Sequence, residues 1–116
     1  STSLAQIYDS FINKFNNKKS LIRSDTLKKV TSVESNKMDY IMRLPIKWSP
    51  TGFIIDGGEL FGLNKTSFGH TGSGGSMAFA DPEKHIGVSY TMNSFSNNIV
   101  VDKRARNLVR ALYKVI

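Results

Sequence analysis

The residues best suited to chemistry in this sequence form the tripeptide His70-Thr71-Gly72. In order, they offer an imidazole that can carry a proton, a hydroxyl group, and a backbone that no Cβ shields. A strand with these groups could bind an extended acyl compound in the way that a sheet edge binds an added strand. We therefore predict a substrate-binding strand here. The alternative is that His70 is an ordinary, partly buried strand histidine.

The tripeptide belongs to a stretch, residues 67–93, whose pattern indicates paired strands. Apolar residues alternate on both sides of Asp81-Pro82, a dipeptide that suits a type I turn between antiparallel strands. We predict strands over residues 67–71, 76–80 and 86–92, of which the last two form a hairpin. One face of this hairpin has only small side chains and can accept a closely packed helix: Ala78, Ala80, Gly87, Ser89 and Thr91.

Apolar spacing predicts the elements that surround this hairpin. A stripe with helical period predicts a helix from Ser3 to about Phe15, and Ser24 begins a short helix that ends at Val30. A strand is expected over residues 53–55, whereas residues 31–37 show no periodicity and Pro45 limits pairing over residues 40–48. Asp102 can cap a last helix, whose apolar stripe is Ala105, Leu108, Val109, Leu112 and Ile116. The predicted fold class is α+β, with an antiparallel sheet of about four strands packed with N- and C-terminal helices.

Other candidate sites have weaker support. His85 follows the Asp-Pro turn and is expected to be exposed, and Asp81 and Glu83 have the spacing of turn residues rather than of an acid/base pair. These groups match no metal-ligand spacing, so no metal is predicted. The segment from Gly72 to Gly75 lacks the Gly-Lys-Ser/Thr continuation of a phosphate-binding loop.

Composition narrows the classes of function. The chain has 116 residues, a formal net charge of +7 and no cysteine, which excludes disulfides and cysteine-based metal sites. Its positive residues are dispersed and do not alternate with aromatic ones, so a nucleic-acid partner is not predicted. No apolar run reaches the roughly 18 residues of a membrane span. The cellular compartment is left open by these features.

The segment FGHTGSGGSMAFADPEKHIGVSYTMN resembles the C-terminal signature of the serine β-lactamase-like family, which includes esterases and penicillin-binding relatives. Those proteins carry a K-T-G or H-T-G tripeptide on an inner strand, then a glycine-rich segment, an Asp-Pro hairpin and a closing helix. The resemblance implies that residues 1–116 are the C-terminal portion of a β-lactamase/transpeptidase-like α/β sandwich. It also implies a small-molecule or peptide-like substrate.

The resemblance assigns roles to the tripeptide and to the turn after it. It implies that His70 supports a proton network, that Thr71 offers its hydroxyl to the substrate, and that Ser73 donates its backbone N–H to an oxyanion hole. Gly72 and Gly74 would complete the substrate-binding backbone. Histidine has a reference pKa of about 6.5 and is only partly charged at pH 7. This partial charge argues against a carboxylate-bearing antibiotic as the substrate. Histidine in place of lysine resembles the esterase-like and animal β-lactamase-like branch of the family. No cofactor is implied.

Two further motifs of the family are missing from the chain. No serine has a lysine three residues later, as the nucleophile motif Ser-x-x-Lys requires, and no Tyr-x-Asn precedes the tripeptide. Thr26 and Lys29 have that spacing but follow the first helix, and Ser96-Asn97-Asn98 comes after the tripeptide. We therefore expect the nucleophile in a missing N-terminal portion, against which this chain packs, and no activity from the 116 residues alone.

A non-catalytic role is the alternative. A degenerate relative could retain the sheet as a scaffold or for self-association, because a sheet without its neighbours has an open edge and an uncovered apolar face. The scaffold hypothesis predicts a homo-oligomer. The enzyme hypothesis predicts a Ser-x-x-Lys motif in the sequence upstream.

Overall fold

The structure, a computed structural model, describes residues 1–14, 19–56, 58–98, 100 and 102–116. Within them the elements follow the order α1 (Thr2–Ile12), α2 (Ser24–Val30), β1 (Ser35–Asp39), β2 (Leu44–Trp48), β3 (Ile54–Ile55), β4 (Phe68–Thr71), β5 (Met77–Asp81), β6 (Ile86–Tyr90) and α3 (Lys103–Leu112). The described part of the chain contains no helix with the length and apolar character needed to cross a bilayer.

The strands form one antiparallel sheet in which each strand pairs with the next along the chain. The α+β class is confirmed, with six strands instead of the four predicted. The hairpin of β5 and β6 has the expected register, from Met77 opposite Tyr90 to Asp81 opposite Ile86. The Asp81 carboxylate accepts hydrogen bonds from the N–H groups of Glu83 and Lys84, which fixes the turn. The proposed turn chemistry of Asp81 is thereby confirmed.

The two additional strands, β1 and β2, lie where no regular pairing was predicted. They pair over five positions, and Pro45 lies opposite Met38 in the middle of the ladder. The proline is tolerated because β2 meets β3 only at Trp48, so no strand beside Pro45 on that side needs its missing N–H. The prediction that Pro45 limits pairing was therefore wrong for the ladder with β1, which is regular over five positions.

Asp39 closes this first hairpin from its last strand position. Its carboxylate accepts hydrogen bonds from the N–H groups of Ile41 and Met42 and from the Trp48 indole, at 2.8–3.0 Å. The Met42 bond and the two others lower the pKa of Asp39. This single side chain thus connects the turn to Trp48, which contacts the candidate site.

Helix α1 covers the small-residue face of β5 and β6, as predicted. Tyr8 is buried there in a cluster with Phe68, Ala78 and Ala80. A Cβ at Gly87 would lie 2.3 Å from the Asp9 nitrogen, so the helix backbone rests directly on the strand.

The predicted stripe of α1 needs two corrections. The helix begins at Thr2, and Leu4 and Ile7 are exposed, whereas Ala5, Tyr8 and Asp9 face the sheet. The predicted end at Phe15 lies outside the described residues.

Helix α3 packs on the opposite face of the sheet. Ala105 and Val109 are buried against Met77 and Phe79, and the Asp102 side chain caps the helix by accepting from the Arg104 N–H, as predicted. Two stripe residues are exposed, contrary to the prediction: Leu108 and Ile116. Ala105 and Val109, four residues apart, lie on one narrow face of the helix, and this face alone meets the sheet. Leu108 and Ile116 lie outside it.

Candidate active site

Strand β4 places the tripeptide near the centre of the sheet. It lies between β3 and β5, with His70 opposite Ala78 and Thr71 opposite Met77. His70 is exposed, whereas the other three residues of the strand are buried. The structure therefore presents the imidazole to the surface from β4, with its Nδ1 hydrogen bond partly buried.

A hydrogen bond orients the His70 ring. Its Nδ1 lies 2.6 Å from the Thr71 carbonyl oxygen. Since a carbonyl can only accept, Nδ1 must carry the proton, and in the neutral ring Nε2 keeps a free lone pair. The tripeptide thus fixes the tautomer of its own histidine.

Trp48 lies beside His70, with ring centroids 5.6 Å apart and planes inclined by 38°. Trp48 also lines an open depression of about 330 Å³, together with Met38 and Tyr40 among others. The contact between Trp48 and His70 could not be predicted from local sequence, because 22 positions separate the two residues.

Thr71 does not share the environment of His70. It retains only 7% of its surface, and neighbouring side chains on a strand point to opposite faces of the sheet. The structure therefore brings the imidazole and the hydroxyl to adjacent positions but not to one face. The role that the resemblance gives to the hydroxyl stays a prediction.

The turn between β4 and β5 has the geometry of a type II turn. The Gly75 N–H donates to the Gly72 carbonyl at 3.1 Å, and Gly74 at the third position has φ of +85°, which favours glycine. Ser73 occupies the second position and is exposed. Within the described residues its N–H donates to no backbone carbonyl. A backbone N–H without a backbone acceptor among the described residues thus lies two positions after Thr71, in an exposed residue.

The two glycines on either side of Ser73 have structural contacts of their own. A Cβ at Gly72 would lie 2.3 Å from the Ser76 Oγ, and one at Gly74 would lie 2.5 Å from the Phe95 ring. Phe95 is itself 70% exposed at this rim. Gly74 is therefore required by both its positive φ and its close neighbours, whereas a side chain at Gly72 would displace only the Ser76 hydroxyl. Phe95 was not among the predicted site residues.

The remaining sequence candidates lie elsewhere. His85 is exposed, as expected, and its backbone carbonyl accepts from the Asn13 side chain. Glu83 accepts a hydrogen bond from Thr66. Among the residues that the structure describes, no group of three or more His, Cys, Asp or Glu side chains is arranged to hold a metal ion.

No protein-family profile and no curated protein sequence matches the chain. Solved structures do match it over nearly its whole length. A family VIII carboxylesterase is 32% identical, with a TM-score of 0.89 over 97% of this chain. A penicillin-binding protein homolog from Caulobacter crescentus is 29% identical, with a TM-score of 0.88 over 98%. EstA from Arthrobacter nitroguajacolicus Rue61a is 23% identical, with a TM-score of 0.86 over 99%, and at that identity shows the shared fold alone.

In each case the match spans 31% of the other protein's chain. This chain therefore corresponds to about a third of such a protein. The matches confirm the resemblance seen in the sequence: the chain has the structure of one part of a serine β-lactamase-like protein.

Proposed function

We propose that residues 1–116 form the substrate-facing wall of a β-lactamase-like serine hydrolase, whose nucleophile lies outside these residues. The reaction is acyl transfer from an ester, amide or peptide-like substrate. The observation that carries the proposal is the arrangement at the end of β4, where an oriented, exposed imidazole is followed by a turn with a free N–H. The match to a carboxylesterase and to a penicillin-binding protein homolog supports it.

In this proposal His70 acts through Nε2. Its Nδ1 proton is held by the Thr71 carbonyl, so the neutral ring offers Nε2 as an acceptor and the charged ring offers it as a donor. The imidazole can therefore pass a proton in either direction at one fixed position. Lysine, with three donors and no acceptor when charged, could not accept one there.

The Ser73 N–H serves as an oxyanion donor. In the first step, the nucleophilic serine Oγ bonds to the substrate carbonyl carbon while its proton passes to a base supplied outside this chain. The carbonyl oxygen becomes negatively charged and accepts the Ser73 hydrogen bond. The bond to the leaving group then breaks, the leaving group takes up a proton, and water later releases the acyl group. A donor of this kind lowers the barrier by about 3–4 kcal/mol.

An uncharged substrate fits the surroundings best. Trp48 lies beside His70 with its ring tilted, and Phe95 lies against Gly74 in the turn that follows β4. Aromatic surfaces of this kind favour apolar acyl or alcohol groups, because contact with them removes apolar area from water. Esters are therefore the first substrates to test.

Hydrolysis of p-nitrophenyl acetate tests this function in two proteins. The 116-residue chain should give no turnover above its His70→Ala variant. The full-length protein that contains these residues should hydrolyse the ester, and His70→Ala should lower its kcat/KM about 100-fold or more, the usual contribution of a proton-transfer group. The matched control is His85→Ala, because His85 is the other histidine, is exposed and lies outside the candidate site.

Two results would overturn the proposal. One is ester hydrolysis by the isolated chain that depends on His70, since the nucleophile would then lie within these residues. The other is a full-length protein that lacks a Ser-x-x-Lys motif and hydrolyses nothing, which would favour the scaffold hypothesis.

A further inference from the structure

An ion pair between a buried carboxylate and a partly exposed guanidinium lies at the start of α3. The Asp102 side chain is 3% exposed and the Arg104 side chain 43%. The Arg104 guanidinium donates from Nε to Oδ1 at 3.0 Å and from Nη2 to Oδ2 at 2.8 Å, which is the two-pronged geometry that makes such pairs strong. Hydrogen bonds from Arg104 and from Ser96 hold the pKa of Asp102 well below its usual range.

Asp102 lies directly against the turn that follows β4. A Cβ at Gly75 would be 2.5 Å from the Asp102 Cβ and 2.8 Å from its Oδ2. Gly75 has φ of +109°, a conformation that glycine adopts readily and other residues rarely do. Both this φ and the closeness of Asp102 leave room for glycine alone at this position.

Arg104 reaches the same turn by a second route. Its Nη2 donates to the Ser94 carbonyl at 2.9 Å, and two residues later the Ser96 N–H donates to the Gly74 carbonyl at 3.1 Å. Between these two bonds Phe95 packs on Gly74, together with Met92. The segment 92–96 is thus bonded to α3 through Ser94 and to the turn after β4 through Ser96.

We propose that Asp102 and Arg104 are positioning residues, which hold the Gly72–Gly75 turn so that the Ser73 N–H stays exposed for the oxyanion. That Asp102 and Arg104 hold the turn in place is a structural statement that stands by itself. That the turn then serves catalysis rests on the function proposed above. A 1 Å displacement of a catalytic group can cost about 100-fold in rate, so contacts that fix the position of this turn bear directly on the proposed role of the Ser73 N–H.

The pair does more than cap a helix. Capping requires only the bond from the Arg104 backbone N–H to the Asp102 Oδ1, at 2.7 Å. The guanidinium is not part of the cap. Arg104→Gln therefore keeps the helix cap and removes only the links to the Asp102 carboxylate and to Ser94.

Amide hydrogen exchange in the isolated chain tests the structural part. In Arg104→Gln, the Gly75 and Ser96 amides should exchange about tenfold faster, which corresponds to the loss of one charge-assisted hydrogen bond. The Phe79 and Val88 amides in the sheet should keep their rates. Arg104→Lys, which retains the charge without the fork, should lie between the variant and the wild type. Arg110→Gln, an exposed arginine on the same helix, is the control.

Unchanged exchange at Gly75 and Ser96 would overturn the proposal. So would an equal acceleration at all four amides, since that result would mean general destabilisation.

Kinetics in the full-length protein test the catalytic part. Arg104→Gln should lower kcat for p-nitrophenyl acetate about tenfold or more while KM changes little, because the donor acts on the transition state. An unchanged kcat in spite of faster exchange at the turn would refute the catalytic role. If the wild-type full-length protein is inactive, the proposed hydrolase function fails, and the exchange experiment alone decides whether the pair supports the turn.

Discussion

One hydrogen bond decides which nitrogen of His70 is available for chemistry. Because Nδ1 donates to the Thr71 carbonyl, the neutral ring should be the Nδ1–H tautomer. Long-range ¹H–¹⁵N spectra above pH 8 should show a protonated Nδ1 and an unprotonated Nε2 for this residue. His85 supplies the comparison, since no hydrogen bond of its ring is seen in the described structure. A His70 signal with the proton on Nε2 would contradict the orientation on which the proton-transfer role depends.

A second prediction concerns Tyr113, which joins α3 to the β5–β6 turn. Its hydroxyl donates to the buried carboxylate of Asp81, which also accepts from the Asn64 amide at 2.7 Å. Tyr113→Phe should lower the free energy of unfolding by about 1.5–3 kcal/mol, the range for a hydrogen bond to a charged group. Urea denaturation at pH 7 measures it. Tyr40→Phe is the control, because Tyr40 is 92% exposed and should show no change.

The same tyrosine gives a pH dependence. Burial, and then the bond to Asp81, raise the pKa of Tyr113. A group whose pKa is higher in the folded state stabilises the fold fully below its unfolded pKa, which is about 10 for tyrosine, and less as pH rises above it. Between pH 10 and 11 the wild type should therefore lose stability faster than Tyr113→Phe. If the free energy of unfolding fell equally with pH in the wild type and in Tyr113→Phe, ionisation of the Tyr113 hydroxyl would not be coupled to folding.

At the scale of residues, a side chain's hydrogen bonds could be predicted where its partners are close to it in the sequence. The cap at Asp102 and the Asp81 turn could be predicted, because each side chain bonds to N–H groups within three positions. The partners Tyr113 and Asn64 of Asp81 could not, since they lie 32 and 17 positions away. For the same reason Phe95 was missed at the rim of the site.

At the scale of elements, the contact between α1 and β6 is the one that a single mutation tests best. A Cβ at Gly87 would lie 2.3 Å from the Asp9 nitrogen and 2.5 Å from the Ala5 carbonyl oxygen, and helix backbone cannot yield as a side chain can. Gly87→Val should lower the free energy of unfolding by about 1–3 kcal/mol, as overpacking does elsewhere. Thr91→Val, an exposed position just after the same strand, is the matched control.

Equal denaturation midpoints for Gly87→Val and Thr91→Val would contradict the close packing of helix and strand. A shift confined to Gly87→Val would confirm that the small-residue face exists to accept α1.

The elements also show why prediction from sequence was uneven. The β5–β6 hairpin was recognisable because its inward residues alternate and its turn contains Asp-Pro. Strand β1 shows no such alternation: Asn36, Lys37 and Met38 are exposed in succession. Periodicity reports burial, so a strand that buries little on either face leaves no periodic signal. For a related reason, the predicted burial of Leu4 and Leu108 in the helix stripes was wrong. Apolar spacing does not reveal how much of a helix face contacts its neighbour.

On the scale of the whole molecule, this chain is about a third of the proteins that it matches. The large apolar side chains Tyr40 and Ile41 are 92% and 90% exposed at the tip of the first hairpin. Such surfaces are expected where a fold continues or where copies associate. A homo-oligomer therefore stays a prediction, which sedimentation of the chain at several concentrations can check.

For the whole molecule, the fold class and the position of the tripeptide could be predicted from one segment. Residues 67–93 combine the two-residue alternation of strands, an Asp-Pro turn and the His-Thr-Gly motif.

The nucleophile could not be placed, because no local pattern within residues 1–116 supplies an activated serine. Covalent labelling locates it most directly. A fluorophosphonate should add one mass increment to the full-length protein, on a serine upstream of residue 1, and none to the 116-residue chain. An adduct on Ser73 or on any other serine of the chain would contradict a nucleophile outside these residues.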